Sequence, residues 1–194
     1  MKAEDRIDRV RQMFKDHGDS QYGGEAVTQL EHALQAALLA ERAGADAPLI
    51  AAAFLHDVGH LLHDLPEDAP NHGVDDSHET LAGHWLAGWL PPETVEPVRL
   101  HVTAKRYLCA TSPAYFSRLS GPSIQSLALQ GGPMNEAQVE TFRLSPHFHA
   151  SVRLRAWDEE AKVPGLKTPP VEHFMAYVEV AAKMVNPAAA QGSA

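Results

Sequence analysis

The sequence predicts an all-α fold, a single helical bundle. Helix start and stop signals recur along the chain, no run alternates apolar and polar residues over the length of a strand, and no linker divides the chain. The 194 residues, 44% of them hydrophobic and 21% charged, suffice for one domain with a sizeable buried core. We expect that domain to cover residues 1–186 and the small, polar tail over residues 187–194 to be disordered.

Clear boundary signals define the first three helices. Thr28 and Glu31 have the spacing of a capping box, and Gly44 closes the helix that this box opens. Asp46 followed by Pro48 opens a third helix, which is rich in alanine and apolar on all faces. The predicted helices cover residues 4–16 and 29–43, and the third reaches about residue 62.

Later helices are separated by proline, glycine and acidic segments. Residues 63–76 are acidic and contain proline and glycine, which predicts a loop. The next helix is expected to stop at two consecutive prolines, Pro91 and Pro92. The remaining helices are predicted over residues 77–90, 93–108, 122–129, 135–144, 147–162 and 170–185.

Charge and composition narrow the classes of partner. The net charge of −9 and the absence of a basic run disfavour nucleic acid. The N-terminal segment is charged and lacks the apolar core of a signal peptide, and no stretch approaches the length of a membrane span. Cys109 is the only cysteine, so no intrachain disulfide can form. These features predict a cytoplasmic protein without a membrane partner, and they leave the oligomeric state open.

The strongest local signal is the dipeptide His56-Asp57 inside the apolar third helix. A buried carboxylate is costly unless a positive group pairs with it, although other side chains could satisfy an isolated pair. Four more residues fall where helices can bring them to this dipeptide: His32, His78, His101 and Asp158. Four imidazoles and two carboxylates suit two first-row transition ions better than Mg²⁺. The order of the six matches the two-metal HD superfamily.

In that arrangement Asp57 is placed to bridge the two ions. His32, His56 and Asp158 would complete one metal site, and the second would consist of His78 and His101. His60 lies one turn after His56 and could support a ligand, face a substrate or simply end a helix. Lys105 lies one turn after His101, where its cation could meet an anionic substrate or be solvated on the surface.

Longer segments carry a more specific resemblance. Residues 22–35, 51–62, 96–111, 127–134 and 153–162 resemble the glycine-forming 2-amino-1-hydroxyethylphosphonate dioxygenases, which are HD-domain mixed-valence di-iron oxygenases. The resemblance spans about residues 18–185 and implies that the domain over residues 1–186 is an HD domain. It also implies two iron ions (Fe²⁺/Fe³⁺) and cleavage of the carbon–phosphorus bond of that phosphonate by O₂, with glycine and phosphate as products.

The resemblance further implies roles for the residues around the metals. Lys105 and Ser123 match positions that hold the phosphonate, and His60 matches another residue of the substrate pocket. Tyr22 and Glu25 match a mobile loop pair, in which the glutamate faces the substrate amine. Catalytic roles are expected for Asp57, His60 and Lys105.

Three alternatives to this function remain open at the level of sequence. The same chemistry could act on the trimethylammonio analogue of the substrate, but Glu25 favours a primary amine, because a trimethylammonium has no hydrogen to donate. The metals could instead activate water, as in a metal-dependent HD phosphohydrolase. The chain could also be a non-catalytic HD binding module, which the complete set of ligands disfavours.

Overall fold

The computed structural model describes residues 3–62 and 76–185. Within these ranges the chain forms ten α-helices, one 3₁₀ helix and no strand, which confirms the predicted all-α helical bundle. In chain order the elements are α1 (Ala3–His17), α2 (Gln29–Arg42), α3 (Ala47–Leu55), the 3₁₀ helix η1 (Val58–Leu61), α4 (His78–Leu86), α5 (Pro92–Thr111), α6 (Pro113–Phe116), α7 (Gly121–Leu129), α8 (Glu136–Arg143), α9 (Phe148–Glu160) and α10 (Val171–Val185).

The short helix α3 forms the centre of the bundle. Residues 48–55 are all buried, and α3 packs against α2, α5, α9 and α10. The Phe54 ring lies 4.8 Å from the Phe14 ring of α1 and 5.9 Å from the Phe174 ring of α10, measured between ring centroids. Because neighbours surround it on every side, α3 needs apolar residues on every face, as its sequence shows.

The predicted helix starts are confirmed at α2 and α3. The Glu31 amide donates to the Thr28 hydroxyl over 3.1 Å, and the Glu31 carboxylate accepts from the Thr28 amide over 2.9 Å. At α3 the Asp46 carboxylate accepts from the Leu49 amide over 3.1 Å. The capping box fixes the first turn of α2, and His32 is the next residue along the chain.

The predicted extent of the third helix is wrong, because α3 ends at Leu55 rather than near residue 62. The chain tightens into η1 immediately after His56 and Asp57. Gly59 shows the reason: a Cβ atom there would lie 2.1 Å from the carbonyl oxygen of His78. The backbone of η1 therefore lies directly against the start of α4, and this close approach needs glycine. The contact brings the His56-Asp57 dipeptide next to His78.

Other boundaries differ from the prediction by a few residues. Helix α4 stops at Leu86, four residues early, whereas α5 continues to Thr111. The short helix α6 was not predicted, and its start is capped by the Ser112 hydroxyl, which accepts from the Tyr115 amide over 3.2 Å. Most of the predicted loop at 63–76 and the whole predicted tail at 187–194 lie outside the described residues. Among the helices that are described, none has the length and apolar character needed to span a bilayer.

Candidate metal centre and substrate cavity

Five parts of the fold bring the six predicted metal ligands together. They are α2 with His32, the junction of α3 and η1 with His56 and Asp57, the first residue of α4 with His78, the middle of α5 with His101, and α9 with Asp158. All six side chains are buried, and they form two groups that share Asp57. Within each group the candidate ligand atoms lie within 4.8 Å of one another.

Main-chain carbonyl groups orient three of the four imidazoles. The Nδ1 atoms of His32, His56 and His101 lie 2.8, 2.9 and 2.7 Å from the carbonyl oxygens of Ala161, Ala53 and Val98, respectively. A carbonyl oxygen only accepts, so each Nδ1 carries the hydrogen, and the Nε2 lone pair is available on the opposite side of the ring. This is the tautomer that a histidine needs to bind a metal through Nε2.

His78 is oriented by a side chain instead. Its Nδ1 lies 2.8 Å from Oδ1 of Asp76, while Oδ2 of the same carboxylate lies 2.7 Å from Nδ1 of His60. The rings of His60 and His78 stack with centroids 4.0 Å apart. Asp76 therefore links a predicted metal ligand to a predicted pocket residue. The shortened α3 brings His60 here, and not onto the face of a continuous helix with His56 as the sequence suggested.

The Nε2 atoms of the four imidazoles meet in two pairs. Nε2 of His32 lies 3.0 Å from Nε2 of His56, and Nε2 of His78 lies 3.1 Å from Nε2 of His101. Two nitrogen lone pairs at this separation repel each other unless a proton or a metal cation lies between them. Each pair is therefore suited to one metal ion.

Asp57 lies between the two histidine pairs. Its Oδ2 atom is 3.4 Å from Nε2 of His32 and 3.2 Å from Nε2 of His56. Its Oδ1 atom is 3.4 Å from Nε2 of His78 and 3.5 Å from Nε2 of His101. Neither oxygen has a hydrogen-bond partner among the described residues, although both are buried. Buried carboxylate oxygens without hydrogen bonds are costly, and one cation beside each oxygen removes that cost.

Charge within the cluster is strongly coupled. Burial lowers the pKa of His56, but Asp57 and Asp158 together outweigh it and raise the value to about 10. Burial also lowers the pKa of His78, but Asp76, Asp57 and Glu79 together outweigh it and raise the value to about 9. Burial and the neighbouring imidazoles lower the pKa of His101 to about 3. Without a metal, protons on His56 and His78 offset the carboxylates, so metal binding displaces protons.

A cavity of about 390 Å³ opens beside this cluster. His78, His101 and Asp158 form part of its wall. The predicted substrate-side residues all line it as well: Tyr22, Glu25, His60, Lys105 and Ser123. The structure therefore brings together every side chain that the sequence assigned to metal or substrate.

Tyr22 and Glu25 reach the cavity from a tight turn. The Glu25 amide donates to the Tyr22 carbonyl over 2.7 Å, and Gly23 and Gly24 between them have positive φ angles of 49° and 81°. This conformation favours glycine at both positions. The Tyr22 ring stacks on His32 at 3.8 Å between centroids, and its hydroxyl lies 3.5 Å from Oδ1 of Asp158.

Lys105 lies in the wall of the cavity with neutral partners. Its side-chain nitrogen donates to the Ser126 hydroxyl over 2.6 Å and to the Gln130 side-chain oxygen over 3.1 Å. It forms no ion pair with a carboxylate of the described residues. Burial and the nearby Arg155 cation lower its pKa to about 7. An anion in the cavity would therefore find a lysine that lacks a counterion.

Three charged residues that line the described cavity were not predicted from the sequence. Arg155 contacts both Asp158 and Glu159 on α9, and Lys162 follows that helix and contacts Glu159. A spacing of three residues between Arg155 and Asp158 could have indicated their pairing on one helix face. The third is Asp76, which lies in a predicted loop, where no helical periodicity indicates which residues are neighbours. Ser123 contacts Lys162 and Glu159, not Lys105.

Comparisons with other proteins place this site in a family. No protein-family model matches the chain. It is 45% identical over 177 residues to the hydroxymethylphosphonate dioxygenase of Gimesia maris, covering 90% of this chain and 87% of that protein. The chain belongs to the phosphonate dioxygenase family. Its members are oxidoreductases of phosphonate catabolism, so this chain is an enzyme of that class.

One further named relative supports the assignment to the phosphonate dioxygenases, and an uncharacterised protein is also similar to the chain. The glycine-betaine-forming [1-hydroxy-2-(trimethylamino)ethyl]phosphonate dioxygenase of Leisingera caerulea is 39% identical over 173 residues, covering 89% of this chain and 88% of that protein. An uncharacterised protein of Acanthamoeba polyphaga mimivirus is 33% identical over 171 residues, covering 87% of this chain and 78% of that protein. The phosphonate dioxygenases named here differ in substrate, so the family alone does not define the substrate of this chain.

Proposed function

We propose that the chain cleaves the carbon–phosphorus bond of a 1-hydroxyphosphonate with O₂ and holds two iron ions of mixed valence. One observation carries the proposal: each side-chain oxygen of Asp57 is buried, has no hydrogen bond among the described residues and faces one of the two histidine pairs. The proposed ligands are His32, His56, Asp57 and Asp158 for one ion and Asp57, His78 and His101 for the other. Bound iron supplies the activation of O₂ and the redox equivalents that protein side chains lack.

The side chains of the cavity bind and orient the substrate in this proposal. Lys105, which lacks a carboxylate partner in the described structure, offers its cation to the phosphonate. The turn that carries Tyr22 and Glu25 covers the cavity, and its two glycines permit it to move as substrate enters. His60, whose Nδ1 contacts Asp76, forms part of the cavity wall that would contact the substrate.

The proposed substrate is 2-amino-1-hydroxyethylphosphonate, which would give glycine. Its cleavage consumes one O₂ and yields glycine, hydrogen phosphate and one proton. Glu25 supports this choice, because a carboxylate in the cavity wall can accept hydrogen bonds from a primary ammonium. Both of the contacts that Glu25 makes to other side chains fall on Oε1, and Oε2 has no hydrogen bond within the described residues.

Hydroxymethylphosphonate is a second candidate substrate, and the Glu25–Lys162 contact favours it. The Lys162 cation lies 3.0 Å from Oε1 of Glu25 and offsets the charge that would attract an ammonium. The Gimesia maris relative is named for this smaller phosphonate, which has no amine. The hydrolase and binding-module alternatives gain no support from the named relatives, because both of those are dioxygenases.

The test combines metal counting, spectroscopy and product analysis. Protein purified without air should contain two irons per chain and show an electron paramagnetic resonance signal of a coupled Fe(II)/Fe(III) pair that changes on adding substrate. With O₂, 2-amino-1-hydroxyethylphosphonate should give equal amounts of glycine and phosphate. The hydroxymethyl and trimethylammonio compounds, assayed in parallel, rank the three substrates. Phosphate release that continues without O₂ would instead support a hydrolase.

A further inference from the structure

A series of side chains with alternating charges connects the candidate metal centre to the cavity loop, the turn that carries Tyr22 and Glu25. It begins at Asp158, which contacts Arg155, and Arg155 also contacts Glu159. It ends at Lys162, whose side-chain nitrogen lies 3.1 Å from Oε1 of Glu159 and 3.0 Å from Oε1 of Glu25. Glu159 uses a different carboxylate oxygen for each cation, so all of these contacts can exist at once.

Lys162 is the member of this series that contacts Glu25, whereas Asp158 contacts the loop through the Tyr22 hydroxyl. Its side chain is 12% exposed, and that of Glu25 is 14% exposed. The Lys162 nitrogen also lies 2.9 Å from the Ser123 hydroxyl and 3.3 Å from the Ser120 hydroxyl, both near the start of α7. Because both partners are largely shielded from water, the attraction between Lys162 and Glu25 is stronger than that of a surface ion pair.

The balance of charge decides what Glu25 can bind. Asp158 is a proposed metal ligand, so the metal ions offset its charge. The remaining members are the carboxylates Glu25 and Glu159 and the cations Arg155 and Lys162, whose charges cancel. The end of the cavity next to Glu25 is therefore neutral while Lys162 is present, and it carries an excess negative charge once Lys162 is removed.

We propose that Lys162 is a specificity-determining residue. By offsetting the charge of Glu25, Lys162 sets how strongly the cavity discriminates between substrates with and without an ammonium group. The inference rests on the proposed function for its substrate class, a phosphonate with a variable group at the end away from the phosphorus. Lys105 attracts the phosphonate of every member of this class. Lys162 acts on the variable end only.

Binding of two matched phosphonates tests this inference without relying on turnover. 2-Aminoethylphosphonate and ethylphosphonate differ only in the ammonium group, and neither has the hydroxyl of the reactive substrates. Calorimetric titration of the iron-loaded protein gives the ratio of their dissociation constants. In Lys162→Met the affinity for 2-aminoethylphosphonate relative to that for ethylphosphonate should rise about ten-fold. Without Lys162, the shielded Glu25 carboxylate can form a strong charge-assisted hydrogen bond with the ammonium.

Control variants separate the charge of Lys162 from its packing. Lys162→Arg keeps the cation and should keep the wild-type ratio, and the exposed Lys183→Met on α10 should also leave it unchanged. Adding Glu25→Gln to Lys162→Met should abolish the shift. If Lys162→Met does not fold, Lys162→Gln replaces it, with the same shift expected. A ratio that stays constant in the folded variant, or a wild type that binds neither phosphonate, overturns the inference.

Turnover distinguishes this inference from the proposed function. A wild type that cleaves no 1-hydroxyphosphonate contradicts the proposed function, while the binding ratio still reports on Lys162. If the wild type is active, kcat/KM for 2-amino-1-hydroxyethylphosphonate relative to hydroxymethylphosphonate should rise in Lys162→Met by about the same factor as the binding ratio. Damage to the fold would lower both values together and would not change their ratio.

Discussion

Arg155 contacts Oδ2 of Asp158 through Nη1, and this contact leaves Oδ1 of Asp158 directed at His32. Oδ1 lies 3.4 Å from Nε2 of His32, on the side where the histidine pair is suited to a metal ion. The two residues are three positions apart on α9, so the helix itself sets their separation. Arg155 is thus a positioning residue for a candidate ligand, and it touches neither the Nε2 atoms nor Asp57.

Replacement of Arg155 by methionine should destabilise the protein strongly. The buried Asp158 carboxylate would lose its arginine partner and Glu159 would keep only Lys162, at a cost of about 3 kcal/mol in the free energy of unfolding. Urea unfolding of the chelator-treated protein measures this cost without a metal ion to mask it. Arg153→Met is the matched control, because Arg153 is exposed and lies over the Trp157 ring at 5.0 Å. Equal stability of the two variants would contradict the prediction.

Replacement of Asp57 by asparagine should reduce iron binding at both positions. Each carboxylate oxygen faces one histidine pair, and an amide offers only one neutral oxygen in place of the two. We expect the iron content to fall from two ions to fewer than one per chain, as counted by elemental analysis. Asp46→Asn removes the same charge but keeps a helix cap, so its iron content should match the wild type. Two tightly bound irons in Asp57→Asn would refute a bridging role.

Replacement of Lys105 by methionine should impair turnover and leave the iron content intact. A lost charge-assisted contact to the phosphonate should lower kcat/KM by an amount equivalent to about 2–4 kcal/mol. The exposed Lys167 supplies the control, because Lys167→Met removes the same charge outside the cavity. An unchanged kcat/KM in Lys105→Met would show that Lys105 does not pair with the phosphonate.

The same Lys105→Met substitution should stabilise the fold near neutral pH. Burial lowers the pKa of Lys105 from 10.5 to about 7, so between these values the unfolded chain holds a proton that the folded chain has released. The stability of the wild type therefore rises with pH across this window. Methionine has no such proton, and its advantage, about 1–3 kcal/mol below pH 7, should shrink as the pH approaches 10. Urea unfolding of both proteins at pH 6.5 and 9.5 provides the comparison.

Much of the fold and of the candidate site could be predicted because the signals are local. The capping box of Thr28 and Glu31 and the apolar faces of α3 are properties of adjacent residues, and the structure confirms both elements. The ligand set could be proposed because a few helices carry histidine or aspartate within otherwise apolar or regular segments. Spacing indicated His60 and Lys105, and the resemblance added Tyr22, Glu25 and Ser123; all five line the cavity in the structure.

The remaining features depend on contacts between distant segments. The early end of α3 follows from Gly59 meeting the backbone of His78, 19 positions away, which no helical period can show. The contact between Lys162 and Glu25 joins a residue after α9 to a loop before α2. Pairing of this kind depends on how the helices pack. From the sequence alone, nothing therefore distinguishes Lys162 from the other polar residues of the chain.

The way the imidazoles are held affects how this centre can tolerate sequence change. Three of the four imidazoles are oriented by hydrogen bonds to main-chain carbonyl groups, which every amino acid provides. Substitutions at the residues that carry those carbonyls can alter packing but cannot remove the acceptor. His78 alone depends on a side chain, that of Asp76. Among residues that are not ligands, substitution at position 76 should therefore disturb imidazole orientation most. In a mutational scan that measures iron retention, variants at position 76 should lose the most iron.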